Sequence, residues 1–212
     1  MSRSGRTVPK NLAELRALLA EAPGFSGVIK ALHSGDSAAV DGAWGSVCAL
    51  SIAAIVAADE KRAHLVLLPS IRDAEEFAEE FEGLTNNPVH LFPAWESLPD
   101  TNDPGDTVAA TRLALVRRLL DHHRAAPVIV TSLPAILQPV PSRQSIQKAT
   151  RTLKSGDELS LDEFSSWLMA RGFERVTAVE MPGEFSIRGG IIDIFPASES
   201  DPIRIELFGD EI

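Results

Sequence analysis

Between residues 64 and 137 the chain alternates short, continuous apolar runs with amphipathic helical stretches, and few folds accept that pattern. HLVLL at 64 to 68 and VHLF at 89 to 92 are strand-length runs. PVIVTSLPAIL at 127 to 137 is a third β-rich run, entering a turn at Pro134. Short runs without polar alternation read as fully buried parallel strands. Between them, IRDAEEFAEEFEGL places Ile71, Ala74, Phe77, Ala78, Phe81 and Leu84 on one helical face, with acidic residues opposite. TVAATRLALVRRLLDH, 107 to 122, is helical by the same test. Strand and helix in alternation imply a parallel sheet covered by helices.

Upstream, PKNLAELRALLAEA sets Leu12, Leu15, Leu18 and Leu19 at helical spacing, and Pro23-Gly24 ends that helix. SVCALSIAAIVAAD, 46 to 59, is apolar all round, as expected of a helix buried between layers. Downstream of about residue 138 the character changes. A proline-rich linker leads to a strand-like QKATRTLKSG and then to a helix from about Ser160 to Arg171. Ser160 with Glu163 can form a capping box there, and Gly172 closes the far end. RVTAVEM, IRGGIIDIFPA and IRIELFG follow as successive strands. Gly189-Gly190 within the second permits close approach of a partner or neighbouring strand, or marks a bulge. Whether Ile192 and Ile194 face core or solvent is left open by alternation alone.

These readings divide the chain into an N-terminal helix at 1 to 23, a parallel-sheet domain at 24 to 137 and a smaller mixed α/β domain at 138 to 212. Because the last strand runs into Glu211-Ile212 without a stop signal, a truncated piece of a longer protein is expected. The net charge of -10 argues against nucleic-acid binding by bulk electrostatics, though a local basic patch remains compatible with it. One cysteine, Cys48, excludes an internal disulfide, and no signal peptide or membrane-length apolar run is present. A cytoplasmic protein is expected.

Catalytic chemistry finds little purchase. DGAWGS at 41 to 46 occupies the position of a phosphate-binding loop. It has no G-x-x-x-x-G-K-[ST] pattern, no lysine occurs between Lys30 and Lys61, and Trp44 adds bulk where such a loop is bare. A degenerate loop capping a structural helix fits better than an ATP site. Cys48 sits in a buried helix, the five histidines lack partner spacing, and His122-His123 reads as a solvated helix end. The carboxylates at 73 to 82 read as the wet face of their helix rather than a metal site.

Two segments carry a family resemblance. LFPAWESLPDTNDPGDTVAATRLALVRRLL with PVIVTSLPAIL resembles the strand, W-E-x-L-P loop, R-L-x-x-L helix and strand of bacterial transcription-repair coupling factors. GEFSIRGGIIDIFPA with IRIELFGDEI is similar to an element that those factors share with UvrB. UvrB-type proteins add an intact ATP-binding loop and a tyrosine-rich hairpin that clamps DNA. Here the loop is degenerate, the hairpin position holds PAWESLPDTNDPGDT, and the chain has no tyrosine. That pair of losses matches the coupling factor.

The resemblance implies a degenerate RecA/P-loop-like parallel sheet (like UvrB domain 1a), then a smaller domain (like UvrB domain 2) that docks UvrA without catalysis. It implies no cofactor in this segment; ATP, RNA polymerase and DNA would be engaged by later domains of the full-length protein. Position by position, the UvrA-facing residues fall on Arg188, Arg204 and Phe208. Planar guanidinium groups can take carboxylates bidentately, and a phenyl ring can anchor an interface. On residue chemistry alone, a strand arginine is commonly a solvated residue, and Phe208 fits a core position as well. Two rival functions share this pattern: an ATP-dependent UvrB-like helicase subunit contacting damaged DNA, and an intramolecular surface that keeps the full-length protein shut.

Overall fold

A computed structural model describes residues 9 to 95, 104 to 120 and 126 to 212. Most of the W-E-x-L-P loop, and His122-His123, lie outside the described residues. Two compact units are formed, one from Met1–Phe92 with His123–Leu137, the other from Pro93–His122 with Gln138–Ile212. Each has its own sheet and its own apolar core.

In the first unit α1, Leu12–Glu21, starts where the Asn11 side chain accepts from the Glu14 N–H at 2.9 Å. It packs on α2, Pro23–His33, and on α3, Ser46–Ala58. Sequence patterning does not anticipate α2. Pro23 ends α1, but as the first residue of α2 it also starts a helix, because its missing N–H falls where no helical bond is due. The parallel sheet has the order β1-β3-β2, from β1 His64–Leu68, β2 Val89–Phe92 and β3 Val128–Ser132. α4, Ile71–Glu82, is capped by Ser70, whose hydroxyl accepts from the Asp73 N–H at 3.1 Å. α3 and α4 cover one sheet face. Ala49, Ala53 and Val56 of α3 join Phe77 and Phe81 of α4 over Val66, Val128 and Val130.

The central strand β3 is buried at every position, as its apolar run predicts. β1 is not: Leu65 and Leu67 are 62% and 47% exposed. A run of five apolar residues looks the same on an edge strand as in the middle of a sheet, and among the described residues β1 has a neighbouring strand on one edge only. After β3 a short helix α6, Leu133–Leu137, replaces the expected turn, with Pro134 in its first turn where proline is tolerated. No strand forms at residues 36 to 45 ahead of the glycine-rich segment. That segment ends with Gly42 and Gly45 at φ +78° and +54°, and Gly45 serves as the N-cap of α3. The architecture shown is thus a three-stranded parallel sheet and a separate four-stranded mixed sheet.

The second unit contains α5, Thr107–Leu120, and its start is capped by Asp106, which accepts from the Ala109 N–H at 2.9 Å. Arg112 of α5 is only 2% exposed; it donates to the carbonyls of Pro93, Gln138 and Pro139, and its guanidinium lies 4.3 Å from the Trp95 ring centroid. The expected strand at 147 to 156 does not form. Its first residues complete α7, Arg143–Ala149, which Ser142 caps by accepting from the Ser145 N–H.

α8, Leu161–Met169, begins at Ser160, whose hydroxyl accepts from the Glu163 N–H at 3.4 Å. It ends in a paired motif, Phe173 N–H to Leu168 O and Gly172 N–H to Met169 O, with Gly172 at φ +86°. The second sheet, of order β4-β5-β6-β7, comprises β4 Glu174–Arg175, β5 Glu184–Arg188, β6 Ile191–Ile194 and β7 Ile203–Glu206. Of the expected strand RVTAVEM only its first residues pair, because the Glu184 carboxylate accepts from the N–H groups of Glu180 and Met181 and turns the chain. IRGGIIDIFPA is likewise not one strand. Gly189-Gly190 is a two-residue hairpin turn joining β5 to β6, with Arg188 opposite Ile191.

Candidate partner-docking surface

The alternation left open by the sequence is settled by packing. Phe185 of β5 and Ile192 and Ile194 of β6 point to one side, where Phe164 and Leu168 of α8 cover them. Ile187 and Ile205 pack against the same cluster. By the two-residue period, Glu184, Ser186 and Arg188 of β5, Ile191 and Asp193 of β6, and Arg204 and Glu206 of β7 take the other side. This outer face carries the charges of Glu184, Arg188, Asp193, Arg204 and Glu206, while Ser186 on it is buried.

Cross-strand register orders its charges. Ser186, Asp193 and Arg204 form one row, and Arg188, Ile191 and Glu206 the next. The Asp193 carboxylate accepts from Arg204 Nε at 2.7 Å and from Nη2 at 3.0 Å, a two-point fork. Hydrogen bonding by Arg204 holds the Asp193 carboxyl below the usual carboxylate range, and the charges of Arg204 and Arg188 act in the same direction. Arg188 donates to the backbone carbonyl of Thr177. Both arginines are exposed, yet each has already committed part of its donor set inside the chain.

Phe208 lies just beyond β7. Leu207 packs into the core and its N–H donates to Gly190 O at 2.7 Å, so the next side chain is directed away from the core. A tight turn follows, Phe208 N–H to Glu211 O at 2.8 Å, with Gly209 at φ +67°. The ring is 95% exposed, which removes the core reading of this residue. A bare phenyl beside a charged sheet can bury apolar area against a protein surface, while the remaining guanidinium donors take acceptors at its rim. Sequence reasoning leaves Asp193 without an orientation. Its partner is 11 residues away, and only the β6-β7 register brings the two together.

Elsewhere, a cleft of about 180 Å³ in the first unit is lined by Ile29, His33, Asp59, Arg62 and His64 among others. It lies at the N-terminal end of β1, whereas open α/β sheets carry ligands beyond the carboxyl ends of their strands. Among the described residues no group of histidine, cysteine or carboxylate side chains is placed to hold a metal ion, and no helix is long and apolar enough to cross a membrane.

Residues 152 to 212, which include α8 and the whole second sheet, match the family described as UvrB interaction domain. The chain is 38% identical over 154 residues, 70% of its length, to the transcription-repair-coupling factor of Mycobacterium tuberculosis (strain CDC 1551 / Oshkosh). It is 29% identical over 201 residues, 93% of its length, to that of Bacillus subtilis (strain 168), and 29% identical over 171 residues, 79%, to that of Escherichia coli (strain K12). It spans 12%, 17% and 14% of the length of those three relatives. With residues 152 to 212 of the second unit matched by the UvrB interaction domain and relatives of one name aligned over most of its length, the chain belongs to the transcription-repair coupling factor family, as a UvrB-homology module.

Proposed function

We propose that this chain is the UvrA-docking module of a transcription-repair coupling factor and recruits the excision-repair machinery without catalysis of its own. The observation that carries the reading is Phe208, a fully presented aromatic ring at the edge of the sheet matched by the UvrB interaction domain. Arg204 and Arg188 flank it as rim groups. Because Asp193 occupies the Arg204 fork, a partner carboxylate would share that guanidinium or displace Asp193, and the ring contributes more than either arginine. The first unit serves as a degenerate RecA-like scaffold, its glycine-rich segment capping α3 instead of holding a nucleotide. ATP turnover, polymerase binding and translocation on DNA belong to other parts of the longer protein.

Titration of UvrA against the chain tests the docking reading. Phe208→Ala should weaken binding by about 2 kcal/mol, and Arg188→Ala and Arg204→Ala by about 1 kcal/mol each, within the range of interface anchors. Unchanged affinity in all three, with folding intact, refutes it.

A further inference from the structure

The chain carries a net charge of -10, yet residues 122 to 156 contain no aspartate or glutamate. In its described part this stretch holds Arg143, Lys148, Arg151 and Lys154. The last three recur at every third residue, from the end of α7 into a segment without regular secondary structure, and all three are exposed. Such segregation of charge is unexpected in an acidic protein unless the cations have a use.

Local geometry concentrates them further. The Arg171 guanidinium lies 3.8 Å from the centroid of the Trp167 ring and donates from Nη1 to the Trp167 carbonyl at 3.0 Å. Arg151 approaches the same ring at 5.6 Å, and Phe164 stacks on it at 5.7 Å with 12° between planes. One indole therefore holds two guanidinium groups by cation–π attraction, and among the described residues neither forms an ion pair with a carboxylate. Burial and the like charge of Arg151 both work against the Arg171 cation. Two cations held together in this way gain from an anion placed between their outward N–H edges.

We propose that Arg151 and Arg171, seated on Trp167 and flanked by Lys148 and Lys154, form a binding site for the phosphodiester backbone of nucleic acid. Several exposed cations close together in sequence, Lys148 at the end of α7 and Arg151 and Lys154 beyond it, suit a polyanion with many phosphates better than an isolated carboxylate. Trp167 is already engaged by Phe164 and Arg171, so it orients guanidinium groups instead of stacking on a base, and binding is independent of sequence. The inner face of α8 covers the core side of the second sheet, opposite the outer face that bears Arg188 and Arg204. DNA contact and protein docking thus use different sides of one unit, and neither proposal depends on the other.

Fluorescence anisotropy of a labelled duplex of about 20 base pairs, titrated with the chain at several salt concentrations, tests this. Affinity should fall linearly on a log–log plot against salt. Arg151→Gln with Arg171→Gln should reduce the slope by about 2, close to one for each phosphate no longer neutralised, and lysine at both positions should restore it. Far-ultraviolet circular dichroism and thermal unfolding of the double variant check that the fold persists. Absence of salt-dependent binding by the unaltered chain overturns the proposal, as does an unchanged slope in the glutamine variant. Preferential displacement of the duplex by polyglutamate of matched charge overturns it in favour of an acidic protein segment.

Discussion

Gly190 ties the β5-β6 hairpin to the segment that presents Phe208, and its replacement by alanine has a cost that can be worked from the structure. A Cβ at this position would lie 2.6 Å from the Leu207 carbonyl oxygen, a backbone atom with no rotamer to yield. The Leu207 N–H donates to Gly190 O at 2.7 Å, so moving residue 207 away strains or breaks that bond. Overpacking of this kind costs roughly 1 to 3 kcal/mol, and a lost backbone bond about 0.5 to 1.5 kcal/mol, so about 2 to 4 kcal/mol is expected for Gly190→Ala. Gly189→Ala supplies the control. At φ +60°, and with nothing within 4 Å of where its Cβ would stand, it should lose only the left-handed backbone term, about 1 kcal/mol. Urea unfolding followed by tryptophan fluorescence measures both. Gly190→Ala should also weaken the proposed UvrA docking under conditions where the variant is folded, because the displaced residue directly precedes Phe208. A Gly190→Ala variant no less stable than Gly189→Ala would refute the close-approach argument.

Arg112→Gln should destabilise the second unit by about 3 kcal/mol or more, since the backbone carbonyls of Pro93, Gln138 and Pro139 lose a charged donor. Thermal unfolding checks this, and a loss below about 1 kcal/mol would show that Arg112 does not bind the two segments together. Asp193 predicts an acid limb. Its folded pKa is depressed, so its contribution is complete above the ordinary aspartate range near about 4 and is lost as pH falls through the folded value. Asp193→Asn should flatten the acid limb of a stability-against-pH curve by at most about 1 kcal/mol, because the Arg204 side chain is 60% exposed. Identical limbs in the two proteins would count against the fork.

Local patterning is sufficient for α3, α4 and α8 and for the positions of β1, β2 and β3. In each case the signal lies within one element: an apolar face, the Ser160 cap, a run of branched residues between turns. Reading fails where one residue type serves opposite purposes. Pro23 stops α1 and starts α2, and Gly189-Gly190 looks like a bulge until the pairing of Arg188 with Ile191 makes it a turn. The stretch 147 to 156 looks extended, and residues up to Ala149 are instead taken into α7 by the Ser142 cap.

The candidate site shows the same division. Arg188, Arg204 and Phe208 are legible through motif resemblance, and their residue types alone leave both a solvated and a functional reading open. What each side chain does is not legible. The exposure of Phe208 follows from Leu207 entering the core, and the engagement of Arg204 follows from the β6-β7 register that sets Asp193 opposite it. Neither relation has a sequence signature, because a cross-strand neighbour can be any residue that the turn places there.

The alternating pattern of the chain therefore dictated its α/β class, its principal helices and its buried central strand, since periodicity and capping act over a few residues. Tertiary contacts decided which segments share a unit. Trp95 exchanges hydrogen bonds with Gln138, 43 residues away, and Arg112 reaches Gln138 and Pro139 from 26 and 27 residues away. These bonds help hold residues 93 to 122 with 138 to 212, although β2 and β3 on either side of α5 belong to the other sheet. Loop closure over such distances costs little more than over short ones, so sequence order places only a weak constraint on it.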